Sequence, residues 1–119
     1  MMFIIRVTPK KIEDKNRIAK LMDKVIAEFN EYYNKTKWGF QLKLGPIKIG
    51  KRKKMLKDVV KIKMGKIVAK ESIALYIETD RKIDGMTKFV LENIYKNEMK
   101  KLLKENNIEY KKIEVVGVG

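Results

Sequence analysis

Cysteine and histidine are both absent from this sequence of 119 residues. The first absence excludes disulfides, thiolate metal sites and a cysteine nucleophile. The second removes the commonest metal ligand and the commonest general base near neutral pH, so carboxylates, lysine, tyrosine and hydroxyls are the only catalytic groups left to consider. Long apolar runs are missing too: the opening Met1 to Ile5 is interrupted by Arg6, then Lys10 and Lys11, well before a signal or membrane-spanning segment could form. Acid is scarce, with 15 Asp and Glu against 29 Lys and Arg, a net charge of +14. From these absences we expect a cytoplasmic protein with no membrane partner, no cofactor, no metal and no catalytic role.

What is present suffices for a fold. Apolar residues make up 45% of the chain against 37% charged, which argues against disorder. The length suits a single domain over residues 1–119, with one core between two layers. Lysine outnumbers arginine 25 to 4 and glutamine occurs only at Gln41, a balance that suits a thermophilic source. Thermal adaptation raises Glu together with Lys, however, and so accounts for charge content better than for a one-signed excess.

Phe3 to Val7 is a short apolar run that reads as a central strand, and Thr8-Pro9 reads as the cap and first position of a helix. Ile12, Ala19, Met22, Ile26, Phe29 and Tyr33 recur at helical spacing, widened by Ile18, Leu21 and Val25, which predicts a helix to about Tyr33. Trp38, Phe40, Leu42 and Leu44 alternate with less apolar residues, the period of a strand with one buried face, and Ile47 and Ile49 would continue an edge strand beyond Gly45-Pro46. Val60, Ile62 and Met64 lead into Gly65-Lys66, a dipeptide that predicts a hairpin turn, with the returning strand running to Ile77. In that register Met64 faces Ile67, Lys61 opposes Lys70, and Glu71 falls oddly on the apolar side. Asp80 or Asp84 caps a second helix whose apolar face runs from Met86 through Phe89, Val90, Ile94 and Met99 to Leu103. Asn106-Asn107 is its left-handed stop, and Ile113 to Val118 is the last strand.

Two wide helix faces need one sheet face between them. The expected class is α+β: a two-layer sandwich with two long helices on one face of a mostly antiparallel sheet of about four or five strands, in the order βα-βββ-αβ. That order resembles a ferredoxin-like fold with an added strand, and the resemblance implies that the other sheet face is open.

Charge is distributed unevenly. The stretch from Lys43 to Lys70 holds eleven basic residues and one acid, Asp58, a net of +10, whereas the rest of the chain carries 18 basic and 14 acidic groups, a net of +4. By the alternation above, Lys43, Lys48, Lys61, Lys63 and Lys70 line the open face, the tetrad Lys51, Arg52, Lys53 and Lys54 forms a loop at its rim, and Tyr76 is the one aromatic in phase with the lysines. Such a track attracts a phosphate backbone by displacing condensed counterions. Trp38 and Phe40 fall on the buried side, so the stacking platforms of an RNA-recognition motif are missing.

The sequence therefore points to a small basic nucleic-acid-binding protein that holds the backbone of a structured RNA or a duplex without reading sequence, RNA ahead of DNA. The alternative is an oligomeric assembly subunit whose basic face meets an acidic protein. A homodimer, pairing through the open sheet or the last strand, is compatible with either. A third reading is a metal-dependent nuclease. The core order also looks like the restriction-endonuclease type, with Asp58 and Glu78 at matching places, but Asp80 stands where that motif has Lys, and no Pro precedes Asp58. Gly65-Lys66 lacks the spaced glycine and following hydroxyl of a phosphate loop.

Overall fold

The computed structural model describes residues 1–35, 37–38, 41–44, 47–50, 54–55, 58, 61–82 and 85–118. In chain order, β1 (Met2–Pro9) is followed by a short 3-10 turn (Ile12–Asp14), α1 (Lys15–Lys35), β2 (Lys37–Trp38), β3 (Gln41–Leu44), β4 (Ile47–Gly50), β5 (Lys54–Met55), β6 (Ile62–Val68), β7 (Ile73–Thr79), α2 (Gly85–Glu105) and β8 (Tyr110–Val118).

β1 sets the architecture. Phe3, Ile5, Val7 and Pro9 are buried and the residues between them are not, because a pleated strand sends successive side chains to opposite faces. The strand lies between β7 and β8 in a four-stranded sheet of order β6-β7-β1-β8, every neighbour antiparallel. Two units interleave here: β1–α1–β6 with β7 inserted between its strands, and β7–α2–β8 with β1 inserted. Both helices cover the same sheet face. Ile18, Met22, Val25 and Phe29 from α1 and Met99, Leu102 and Leu103 from α2 share one core with Phe3, Ile5, Val7, Ile73, Leu75 and Ile77. The domain is thus α+β, two helices against a four-stranded antiparallel sheet.

α1 starts later than expected. Pro9 still belongs to β1, with a ladder irregularity between Thr8 and Pro9, so the Thr8-Pro9 cap is corrected to a strand end. Ile12, expected in the helical stripe, is exposed in the 3-10 turn. The stop of α2 is where the asparagines put it: Asn107 adopts φ 55, and Ile108 N–H donates to the Leu103 carbonyl at 2.9 Å, satisfying a terminal acceptor.

The hairpin is the main correction. β6 runs straight through Gly65-Lys66, and the turn is at Lys70-Glu71, where Ala69 N–H donates to the Ser72 carbonyl at 2.9 Å. Met64 therefore pairs with Ile77, not Ile67, and Lys61 does not oppose Lys70. Gly65 serves packing instead of turning. It stands opposite Tyr76, whose ring atoms would lie 2.5 Å from any Cβ placed there, so only glycine lets the ring lie against the strand. The true turn is tied down from α1, since Lys15 Nζ donates to the carbonyls of Ala69 (2.8 Å) and Lys70 (3.3 Å). Glu71, odd in the expected register, is simply an exposed turn residue.

The added strand does not join the sheet. β3 pairs with β4, and β2 with β5, as two separate antiparallel ladders. Both ladders lie between α1 and β6 in the chain, and the two-stranded β3–β4 ribbon makes its principal contacts within itself. The molecule measures 61 × 30 × 20 Å, with a radius of gyration of 17.1 Å against roughly 13–14 Å for a compact chain of this length.

Candidate nucleic-acid interface

The basic stretch folds into two parts. In the ribbon, Lys43 stands directly opposite Lys48, between the pairs Leu42↔Ile49 and Leu44↔Ile47, and Gln41 pairs with Gly50. Alternate ladder positions belong to opposite faces, so Lys43, Lys48 and Gln41 share one face and four aliphatic positions share the other. Directly opposed lysines cost roughly a few tenths of a kcal/mol, a repulsion that a polyanion lying along the ribbon would relieve. Lys54 pairs with Trp38 in the β2–β5 ladder. Lys51, Arg52 and Lys53, the rest of the expected loop tetrad, lie outside the described residues, as does Phe40.

The second part is the junction of β6 with β7. Lys61 and Lys63 are exposed there. The Lys61 N–H donates to Asp80 Oδ1 at 3.0 Å, and the Asp80 N–H donates back to the Lys61 carbonyl at 3.1 Å. Asp80 thus closes the end of the strand pair, which corrects its expected place as a cap of α2; Asp84, the alternative cap, lies outside the described residues. Lys63 pairs across the sheet with Glu78. These four residues with Tyr33, Ile62 and Thr79 line an open cleft of about 360 Å³, in which the Tyr33 hydroxyl accepts from Ile62 N–H at 3.3 Å. Two lysines and two carboxylates leave the cleft near neutrality, whereas residues 43–60 hold seven basic residues against Asp58, a net of +6.

The open sheet face is not the lysine track expected. Among the residues described there, Lys63 is the only member of that track; Lys43 and Lys48 are in the ribbon, Lys61 precedes the strand, and Lys70 sits in the turn, roughly 20 Å along β6 from Lys63. The face instead carries Ile4, Ala74, Tyr76 and Val116 at its centre, by the pairing of β7, β1 and β8. Tyr76 does share that face with Lys63, as the alternation indicates. The pattern along single strands could not reveal one further cluster: Arg6 Nη1 meets Glu114 Oε1 at 3.3 Å, and Lys112 Nζ approaches the same oxygen at 3.6 Å. It depends on the pairing of residues more than a hundred positions apart.

Asp58 is exposed, and no group of three or more acidic side chains among the described residues is placed to hold a metal ion. Among the described residues, one titration is strongly displaced. The Tyr95 phenol is pushed up to about 12 by burial, with the negative charges of Tyr32 and Glu98 adding to it. Its ring meets Phe29 edge-on at 6.1 Å between the two helices. No helix among the described residues is long and apolar enough to cross a membrane.

No family model, curated protein or solved structure matches this chain. Its chemistry has to be read from its own residues.

Proposed function

We propose that this protein binds nucleic acid through the backbone, with the ribbon as its main electrostatic element. The observation that carries the reading is the net +10 of residues 43–70, of which +6 falls in residues 43–60, where Lys43 and Lys48 stand in direct opposition. Lys43, Lys48 and the tetrad Lys51, Arg52, Lys53 and Lys54 engage phosphates, and Lys61 and Lys63 extend the contact toward the sheet. Lysine acts as a point charge without the bidentate geometry that reads bases. A two-stranded ribbon also has the width that a B-form major groove admits, so duplex DNA stands beside structured RNA as a ligand. The interleaved β1–α1–β6 and β7–α2–β8 units support reading the domain as a ferredoxin-like variant in which the ribbon is an insertion. The expectation of a cytoplasmic binding protein, not an enzyme, rests on the sequence: no histidine, no cysteine and an excess of cations.

The test is binding of the purified protein to labelled single- and double-stranded RNA and DNA across a salt series. Micromolar or tighter binding with a steep salt slope is expected, and changing Lys43 and Lys48 to Gln should lower the slope by about two, near one unit per lost phosphate contact. Changing the tetrad to Gln should weaken binding further, without altering sequence preference. Absence of binding at low salt overturns the reading and leaves an acidic protein as the partner.

A further inference from the structure

The first half of α2 is apolar on the side that faces away from the core. Met86 is 79% exposed, Phe89 66%, Val90 47% and Ile94 53%, while the inner side of the same helix is filled by Leu91, Tyr95, Met99 and Leu103. At about 100° per residue, Met86 and Val90 lie nearly opposite that inner face. Asn93 lies on this outer side too, its side chain donating to the Phe89 carbonyl at 2.8 Å, but the exposed surface there is mainly apolar, and apolar helix faces are normally covered. The apolarity ends abruptly: farther along the helix, Lys100, Lys101 and Lys104 are exposed.

We propose that this stripe packs on the same stripe of a second copy, with the two α2 helices antiparallel about a two-fold axis at Val90. Charge sets the direction. A parallel pair would bring the three lysines of each helix beside those of its partner, whereas an antiparallel pair holds the lysine-rich halves at opposite ends and opposes the two helix dipoles. With the axis at Val90, Met86 meets Ile94 of the other copy and the reverse, the self-complementarity that an isologous interface requires. The four exposed apolar side chains present roughly 400–500 Å² per copy; with their flanks, the pair buries about 1,000 Å² or slightly more, at the lower bound for a specific interface. The dimer is accordingly a reversible one, and it carries the ribbon in duplicate.

The absence of cysteine makes the test clean. Val90→Cys places a single thiol on the axis, where the two copies bring their thiols together. Mild oxidation should convert most of that variant to a covalent dimer, while Lys104→Cys, at the far end of the helix, stays monomeric. Sedimentation of the unmodified protein should show a concentration-dependent dimer, and Phe89→Glu should shift it to monomer with an unchanged circular-dichroism spectrum. A single monomeric species at all concentrations, with no more crosslinking at position 90 than at position 104, overturns the proposal. So does a dimer that Phe89→Glu leaves intact, which would place the contact at the open sheet or the β8 edge. Neither outcome bears on the nucleic-acid reading, which the salt-series experiment tests with monomer or dimer alike.

Discussion

α1 and α2 are equally long, 21 residues each, and they use that length differently. α1 buries Ile18, Met22, Val25 and Phe29, a residue at nearly every turn, and keeps Lys20, Asp23, Lys24 and Glu28 outside. Among the described residues of α2, none is fully buried before Met99, although Met86, Phe89, Val90, Leu91 and Ile94 make its beginning the more apolar part. Apolar content and burial are therefore separate quantities. A helix on a sheet can bury only one stripe, and apolar residues beyond that stripe need a partner of another kind.

The largest test of this contrast is truncation on the two sides. Met22→Ala and Leu75→Ala remove side chains with no exposure and should each cost about 2–5 kcal/mol in urea unfolding. Met86→Ala should stay within about 0.5 kcal/mol at low protein concentration. A large loss at Met86 under those conditions would mean that the outer face of α2 is covered by its own chain.

Alkaline pH gives a smaller effect at the place where the helices meet. The Tyr95 phenol holds its proton to about 12 in the folded state, whereas an unfolded tyrosine releases it near 10. The folded state therefore binds the extra proton between these values. The associated stability is complete below about pH 10 and declines as the pH rises toward 12. Tyr95→Phe should flatten this decline, measured as the urea midpoint against pH, and ultraviolet titration should show one tyrosine ionising late. A decline unchanged in Tyr95→Phe would assign it to other groups.

The smallest effect concerns the tie between α1 and β6, where Lys66 Nζ meets Asp23 Oδ1 at 2.8 Å. Exposed pairs contribute little, so Asp23→Asn should cost less than about 1 kcal/mol, and a double-mutant cycle with Lys66→Met should show a coupling of a few tenths. A coupling several times larger would make the pair a true clamp of α1 on the sheet.

Much of the fold was legible residue by residue. The stripe of α1 identified its inner face, the Phe3–Val7 run marked the central strand, and Asn107 took the left-handed position. The charge asymmetry was legible as well, because counting needs no geometry. The open face was not. Gly65 has the signature of a turn, yet its role is set by the Tyr76 ring across the ladder, and the turn at Lys70-Glu71 is held by Lys15 from a helix more than fifty residues earlier. Shifting the turn re-paired the whole of β6, which removed Lys70 from the supposed track and set Lys63 opposite Glu78. Likewise, the alternation of Leu42 and Leu44 predicts a strand and says nothing about which strand it pairs with.

By itself, then, the sequence determined the local elements and the sign and location of the charge, because periodicity, capping and charge are carried by residues near one another in the chain. Only the tertiary structure decided the register of β6 on β7, the departure of the ribbon from the sheet, the apolar centre of the open face and the uncovered side of α2. Each of those depends on which distant surfaces fill one another's space, and that competition is settled by packing across the whole domain.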